Sequence, residues 1–272
     1  MDTVKEFELK QKKYMPVFPK ASGTPTVYIE GYPSEEDDPM PSSDSHGTQL
    51  ALFYDQLWRY FENDEYIHIG IDSFIYYSEG DRSKRVAPDV YVVLGVAKMP
   101  RSSFYTWEEG AVPAAVFEFL SDATANQDRN EKVQRYLIDI GVEEYFIHQP
   151  KIKRPPEFRG WRRSLSGSIV AIAPDEQGGL FSESLNLWFQ WEIDQQSQVR
   201  LLRPYLPDGT PITTSREEKY LRLEAQAIAV EEAERRQEAE ILARAETERR
   251  QEAEAELERL RAQLANRQDE GV

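Results

Sequence analysis

Carboxylates are the reactive groups that this sequence offers in quantity. Its 272 residues include no cysteine and only three histidines, His46, His68 and His148, against 49 aspartates and glutamates. A disulfide framework and a cysteine-ligated metal site are therefore excluded. The sequence also lacks a Gly-x-Ser-x-Gly nucleophile elbow and a Gly-x-x-x-x-Gly-Lys-Ser/Thr phosphate loop. This composition favours chemistry that places a divalent metal ion on oxygen ligands.

Two acidic residues stand out because each adjoins or lies within an apolar stretch. Asp89 immediately precedes the apolar run at residues 90–94, and Glu118 lies inside the run at residues 114–120. A carboxylate inside such a strand is costly unless it is paired or bound to metal. Taken alone, Asp89 fits a turn residue that starts a strand, and Glu118 fits a structural ion-pair partner as well as a ligand. Together on neighbouring strands, the two carboxylates could hold Mg²⁺.

Three polar residues after Glu118 recur at helical spacing. Asp128, Lys132 and Tyr136 are four residues apart, which places them along one face of a helix. One interpretation is an exposed Asp–Lys pair beside a packing tyrosine. The functional interpretation puts the Lys132 ammonium over the metal site, where it could orient a water nucleophile and stabilise charge on a phosphorane-like transition state.

The surrounding pattern predicts the elements that position these residues. A helix is predicted to start at Asp44 or Ser45, which are N-cap candidates, because apolar residues then recur every three or four positions up to Phe61. A second helix is predicted at residues 128–140, ending at Gly141. Strands are predicted at residues 66–71, 73–77, 90–94, 114–120, 145–148, 169–173, 185–191 and 199–202. This order predicts an α/β (α+β) fold with a mixed sheet and helices on its faces.

Composition divides the chain into three predicted parts. Residues 1–44 are rich in proline and predict a partly ordered arm, in which residues 26–29 could form one short strand. Residues 45–214 predict the globular domain, since 30 of the 31 aromatic residues precede Ser215. Residues 215–272 predict a charged helix, because 27 of the 58 residues are charged and residues 215–266 contain neither glycine nor proline.

The C-terminal segment also carries a heptad-like repeat. The sequence ERRQEAE at residues 234–240 recurs at residues 248–254, an offset of two heptads. Leu221, Ile228 and Leu242 fit one heptad frame, but Arg235 and Arg249 interrupt it. The pattern predicts a weak coiled coil, and the alternative is a single solvated helix held by i,i+4 charge pairs.

The charge balance bears on possible partners. The net charge of −16 argues against tight non-specific binding to DNA, which depends on neutralising phosphates. Residues 151–163 are an exception to this acidity, with six basic residues, one acid and two interleaved aromatic residues. They could contact a nucleic-acid backbone, or they could form a solvated hairpin that balances an acidic surface. The candidate DNA-binding residues are Lys151, Lys153, Arg154, Arg159, Arg162 and Arg163.

The sequence shows no sign of a membrane location. No apolar run approaches the ~18 residues that a membrane span needs. The first fifteen residues lack the apolar core of a signal peptide. These observations predict a soluble cytoplasmic protein without a membrane partner.

This succession of motifs resembles the Uma-type family of restriction endonucleases, which belongs to the PD-(D/E)XK nuclease-like superfamily. The resemblance spans roughly residues 40–218 and is carried by Pro88-Asp89-Val90, by Val116-Phe117-Glu118-Phe119-Leu120-Ser121, by Asp128, Lys132 and Tyr136, and by Gly141-Val142-Glu143-Glu144-Tyr145. It implies a restriction-endonuclease-like core with a central mixed sheet, followed here by the long C-terminal helix. It also implies hydrolysis of phosphodiester bonds with Mg²⁺ or Mn²⁺ as cofactor.

The resemblance further implies roles for individual residues. Asp89 and Glu118 correspond to the two metal-binding acids, helped by a backbone carbonyl near Phe119. The superfamily's usual lysine lies two residues after the second acid, a position that the apolar Leu120 occupies here. In this family the lysine comes from the next helix instead, and Lys132 corresponds to it. The supporting residues are Asp128, Tyr136, Ser121 as a local hydrogen bonder, and His46, which either contacts the site or has a structural role at its helix N-terminus.

Three hypotheses about function follow. The first is a metal-dependent endonuclease that engages DNA weakly and in a salt-sensitive way and acts as a homodimer. The second is a catalytically inactive protein with a nuclease fold, which oligomerises or docks on a protein partner through its C-terminal helix. The apolar Leu120 and the acidic balance favour the second, whereas Asp89, Glu118 and Lys132 favour the first. The third is a structural coiled-coil adaptor that carries the globular body.

Overall fold

A computed structural model describes residues 29–32, 44–122, 124–164, 166–195 and 197–269, with side chains as far as Arg261. The predicted N-terminal arm and its short strand lie almost entirely outside the described residues. By internal contacts the described chain divides into two units, one ending at Glu217 and the other beginning at Glu218.

Five α-helices, one π-helical turn and twelve strands make up the described chain. They are α1 (Asp44–Tyr60), β1 (Ile67–Ile71), β2 (Phe74–Tyr76), β3 (Arg85–Val86), β4 (Val90–Leu94), β5 (Ser103–Tyr105), α2 (Thr106–Glu109), β6 (Ala115–Phe119), α3 (Ala125–Arg129), α4 (Glu131–Gln134), a π-helical turn (Arg135–Ile140), β7 (Glu144–His148), β8 (Phe158–Arg163), β9 (Ile169–Ala171), β10 (Leu180–Ser182), β11 (Leu187–Asp194), β12 (Val199–Tyr205) and α5 (Ser215–Asp269).

A six-stranded mixed sheet forms the centre of the first unit. Its strand order is β1-β4-β6-β7-β8-β9, and only β6 and β7 run parallel. Two three-stranded sheets accompany it, β10-β11-β12 and β3-β2-β5. The predicted α/β (α+β) class with a mixed sheet is confirmed.

Strand β6 is buried on both faces. Alternate side chains point to opposite sides of a sheet, and here each side faces a core cluster. Phe117 belongs to one core cluster, and its ring lies 4.8 Å from that of Phe53 in α1. Val116 belongs to the other cluster, together with Tyr136 of the π-helical turn. Glu118 shares the parity of Val116, so its carboxylate lies on the face that the segment from α3 to the π-helical turn covers.

The structure differs from the sequence-based expectation in the helix after Glu118. The predicted helix at residues 128–140 begins earlier, at Ala125, and is interrupted at Asn130, whose φ of −125° and ψ of −75° are not helical. It ends as a π-helical turn before Gly141, which adopts a φ of 88°. Irregular helix of this kind occurs often at functional sites.

Several strands were not expected from the sequence. Strands β5 and β10 have only three residues each, and β8 (Phe158–Arg163), which is rich in arginine and gives no apolar run, was foreseen only in the alternative of a hairpin. The predicted strand at residues 73–77 is β2, which joins the small sheet with β3 and β5 rather than the central one. The strand predicted at residues 185–191 begins two residues later, after Asn186 with a φ of 54°.

The second unit is the C-terminal helix, and the predicted long helix is confirmed. Helix α5 runs over 55 residues. Its apolar side chains, such as those of Ile228 and Leu242, are 60% and 70% exposed. Pairs four residues apart, such as Arg235 with Glu231 at 2.7 Å, line the helix. The coiled coil stays a prediction. In the part of the chain that the structure describes, no helix is long and apolar enough to span a membrane.

Candidate active site

Asp89 lies immediately before β4, and Glu118 lies within the adjacent strand β6. The register that pairs Val90 with Phe117 in antiparallel β4 and β6 places Asp89 across from Glu118. The two carboxyl groups are close enough that the charge of Asp89 raises the pKa of Glu118. Asp89 also accepts a 2.5 Å hydrogen bond at Oδ2 from the Phe119 backbone N–H, which fixes its carboxyl group at the end of β6.

The Glu118 carboxylate is buried and bound by two groups from the next helical segment. Its Oε1 accepts hydrogen bonds from the Lys132 ammonium at 2.8 Å and from the Tyr136 hydroxyl at 2.7 Å. Burial raises the pKa of Glu118; Lys132 opposes this shift, and the nearby Asp89 charge adds to it. The site therefore holds more negative charge than its surroundings easily stabilise.

Lys132 connects Glu118 to a third carboxylate. Its ammonium lies 2.8 Å from Asp128 Oδ1, and the Asp128 side chain is only 1% exposed. Burial lowers the pKa of Lys132, but the Glu118 and Asp128 carboxylates outweigh that effect and raise it overall. Lys132 is therefore a protonated cation shared by two acids, and Asp128 belongs to a buried pair rather than to an exposed one.

Hydrogen bonds at the start of α3 hold Asp128 in place. Its Oδ2 accepts a bond from the Thr124 hydroxyl at 2.8 Å, and its backbone carbonyl accepts one from the Tyr145 hydroxyl at 3.0 Å. Ser121 Oγ in turn lies 2.9 Å from the Thr124 hydroxyl and accepts a bond from the Thr124 N–H. Thr124 was not identified from the sequence, although threonine is a common residue at the N-terminus of a helix.

His46 reaches the site from the first turn of α1. Its Nε2 lies 3.1 Å from Asp89 Oδ1. The hydrogen bond to Asp89 raises the pKa of His46, burial opposes that rise, and a hydrogen bond to the Phe119 backbone adds to it. His46 thus contacts the site and occupies the helix N-terminus at the same time.

The structure separates the candidate DNA-binding residues into two groups. Strands β6 and β7 run parallel, so the loops that follow Phe119 and His148 leave the sheet at the same edge. Lys151 and Lys153 follow β7 closely at this edge. In contrast, Arg162 pairs in register with Glu144, at the start of β7. About four residues of strand, roughly 13 Å, separate the two ends. The members near the carboxylates are Lys151, Lys153, Arg154 and Arg159, and the distant ones are Arg162 and Arg163.

The other two histidines lie elsewhere in the body. The His68 ring stacks 6.1 Å from that of Phe104, and burial lowers its pKa to about 3. His148 lies 2.8 Å from the Arg200 carbonyl through Nε2, and burial lowers its pKa to about 4. Both are therefore neutral packing residues at neutral pH.

The donor set can be tested against the metal that the family resemblance implies. Among the described residues, no group of three or more histidine, aspartate or glutamate side chains is arranged to hold a metal ion. Mg²⁺, however, keeps several waters and is commonly bound by one or two carboxylates. Asp89 and Glu118 supply that number, and the Asp89 charge acts on Glu118. The residues present fit a hydrated divalent cation.

The fold and site define an α/β protein with a carboxylate–lysine cluster at one edge of a mixed sheet. Residues 27–194 match the model of the Uma2 family, described as "Putative restriction endonuclease". This match covers more than half of the chain and includes Asp89, Glu118 and Lys132, so the chain belongs to that family. This membership indicates a nuclease, which is a kind of hydrolase.

Two further comparisons were made. One solved structure, described as "a putative nuclease belonging to DUF820" from Anabaena variabilis, is 14% identical and has a TM-score of 0.36. The similarity covers 54% of this chain and 79% of that one. No curated protein matches this chain.

Proposed function

We propose that this protein is a metal-dependent endonuclease that hydrolyses phosphodiester bonds of DNA. The observation that carries the proposal is the convergence of Asp89, Glu118 and Lys132 at one sheet edge. Membership in a family described as restriction endonucleases supports it. The proposed ligands of Mg²⁺ or Mn²⁺ are the two carboxylates, helped by a backbone carbonyl near Phe119.

A bound divalent ion would polarise the scissile phosphate and lower the pKa of a water molecule. The protein residues have separate tasks. Asp89 is oriented by the Phe119 N–H, and Glu118 by Tyr136. Lys132 remains charged between its two acids, so its ammonium can position the water or stabilise the negative charge that develops on the phosphoryl oxygens. Asp128 holds Lys132 in place.

Cleavage assays on matched variants test the proposal. The full chain is incubated with linear, supercoiled and single-stranded DNA, with and without Mg²⁺ or Mn²⁺. We expect metal-dependent cleavage that Asp89→Asn and Glu118→Gln each reduce at least 100-fold, because each removes one anionic ligand. Asp139→Asn is the control, since Asp139 is exposed on the π-helical turn, and it should cleave normally. If no DNA is cut, or if both site variants cut like the native protein, the assignment is wrong.

A second candidate function is a catalytically inactive nuclease fold that binds a partner. The specific observation in its favour is that Lys132 and Tyr136 already satisfy Glu118 Oε1, while Leu120 fills the usual lysine position and is buried. Calorimetric titration with Mg²⁺ and Mn²⁺ separates the two candidates. Metal binding that Glu118→Gln abolishes favours the enzyme, whereas absence of metal binding together with absence of cleavage favours the binding protein.

We further propose that α5 joins two copies of the chain into a homodimer. Its apolar side chains are 45–70% exposed along the described helix, and burying them against an identical helix is favourable. The oligomeric mass of the full chain, measured by light scattering, should be twice the monomer mass. A chain ending at residue 217 should give the monomer mass. The proposal would be contradicted if the shortened chain were still a dimer. It would also be contradicted if the full chain were a monomer.

A further inference from the structure

Two basic side chains close to the candidate site converge on one exposed carboxylate. Lys151 Nζ lies 2.9 Å from Asp122 Oδ2, and Arg154 Nη2 lies 2.8 Å from Asp122 Oδ1. Each oxygen of the carboxylate therefore has its own cation. The Asp122 side chain is 54% exposed, so a solvent-borne anion can reach the same position. The hydrogen bond from Lys151 is the main cause that lowers the pKa of Asp122.

This cluster lies at the edge of the sheet that carries the candidate active site. Asp122 comes three residues after the end of β6, and Lys151 comes three residues after the end of β7. Because β6 and β7 run parallel, both loops leave the sheet on the same side. Asp122 is also four residues from Glu118, within the loop in which Ser121 and Thr124 hold the start of α3.

The turn that carries the two cations is held by a buried guanidinium. Arg200 is only 4% exposed, and it donates hydrogen bonds to the carbonyls of Gln149, Lys151 and Arg154 at 2.8, 3.2 and 3.3 Å. Its guanidinium also lies 5.1 Å from the centre of the Trp191 ring. Burying a cation is costly. The hydrogen bonds of the buried Arg200 guanidinium fix the shape of this one turn. Lys151 and Arg154 are thus positioned before any ligand binds.

The Asp122 carboxylate resembles a phosphodiester group in the charge and oxygen atoms that it offers to these two cations. Both groups carry one negative charge over two accessible oxygens, and arginine and lysine bind both. We propose that Lys151 and Arg154 form a binding site for a backbone phosphate of the DNA substrate, and that Asp122 occupies this site in the free protein. The inference rests on the proposed function. Asp122 then competes with DNA, which weakens non-specific binding at the mouth of the active site.

The proposal predicts a change in both affinity and salt dependence. Asp122→Asn removes the competing charge but keeps the size of the side chain. The pair of cations then offers two net positive charges instead of one, so the plot of log K against log salt should steepen by about 0.9. The affinity for a DNA duplex should rise about tenfold at low salt, which corresponds to breaking two exposed ion pairs.

The experiment measures binding without cleavage. Fluorescence anisotropy of a labelled 20-base-pair duplex is followed with the full chain in EDTA, over a range of salt concentrations. Glu183→Gln is the matched control, because it also removes one exposed negative charge beside an arginine, Arg162, but at the opposite end of the sheet. We expect Asp122→Asn to tighten binding about tenfold and Glu183→Gln less than twofold. In a Lys151→Gln/Arg154→Gln background, Asp122→Asn should likewise tighten binding less than twofold.

Each other outcome overturns the proposal. Equal tightening by the two single variants would show an effect of net charge alone. No tightening by Asp122→Asn, no detectable binding by any variant, or persistence of the effect without Lys151 and Arg154 would show that the cations bind no phosphate. Failure of the proposed function is distinguishable, because it would abolish metal-dependent cleavage while leaving the Asp122→Asn effect on binding intact.

Discussion

Replacing Lys132 by methionine should destabilise the globular unit strongly. The Lys132 ammonium lies 2.8 Å from Glu118 Oε1 and 2.8 Å from Asp128 Oδ1, and the exposed fractions of the three side chains are 15%, 5% and 1%. At an effective dielectric constant of about 20, each contact is worth about 6 kcal/mol of Coulomb energy. Desolvation of the three charges offsets most of it.

The loss in the variant exceeds the net worth of the pairs, because two carboxylates remain buried without their cation. Removing one partner of a buried pair costs about 3–5 kcal/mol, which is a large part of the about 5–15 kcal/mol that typically stabilises a domain. Urea denaturation at pH 7.5, followed by circular dichroism in a chain ending at residue 217, measures this loss. The native sequence in the same shortened form is the reference and should unfold cooperatively.

A neighbouring ion pair supplies the control. Arg135 lies three residues after Lys132, and its guanidinium is 4.0 Å from Glu131, with exposed fractions of 41% and 67%. Arg135→Met should change the free energy of unfolding by less than about 1 kcal/mol. In the Glu118→Gln background, Lys132→Met should cost less than it does alone, because one of the two stranded charges is gone. A loss below about 1 kcal/mol for Lys132→Met alone would refute the inference that this network is desolvated.

Two further predictions concern stability. Burial lowers the pKa of His148 to about 4, so below about pH 6.5 the unfolded chain binds a proton that the folded chain does not; this residue should lower the free energy of unfolding by about 2 kcal/mol between pH 7 and pH 5. Urea denaturation at both pH values should show a smaller drop for His148→Gln, and an equal drop would contradict the assignment. Glu144→Gln should cost about 1–3 kcal/mol, because the buried Glu144 carboxylate accepts bonds from the Glu183 N–H at 2.8 Å and the Ser184 hydroxyl at 2.6 Å. Thermal unfolding measures this cost, and the exposed Glu143→Gln should leave the melting temperature unchanged; equal melting temperatures for the two variants would refute the stated role of Glu144.

The central strands could be predicted from the sequence because they are buried on both faces and therefore read as continuous apolar runs, as β4 and β6 do. Strand β8 was foreseen only as part of an alternative hairpin, since its arginines conceal the alternation; its pairing with β7 and β9 depends on tertiary structure. The spacing of Asp128, Lys132 and Tyr136 predicted one helix face, and the structure brings Lys132 and Tyr136 to Glu118 and Asp128 to Lys132. The interruption at Asn130 could not be foreseen, because it depends on tertiary packing rather than on local preference.

Parts of the site were also beyond the sequence. A run of basic letters at residues 151–163 suggested one surface, but strand register places Arg162 and Lys151 at opposite ends of β7 and β8. The pairing of Lys151 and Arg154 with Asp122 joins residues about 30 positions apart. No periodicity predicts such a contact, since it arises from the parallel pairing of β6 and β7.

Lys132 lies on a less stable part of the fold than Glu118. Glu118 lies on β6, which is hydrogen-bonded on both sides by β4 and β7. Lys132 lies on α4, a helix of four residues that Asn130 separates from the five-residue α3. Because short helical pieces open more readily than central strands, amide hydrogens of α3 and α4 will exchange with solvent faster than those of β6. Local opening will therefore withdraw Lys132 and Asp128 together while Asp89 and Glu118 keep their positions.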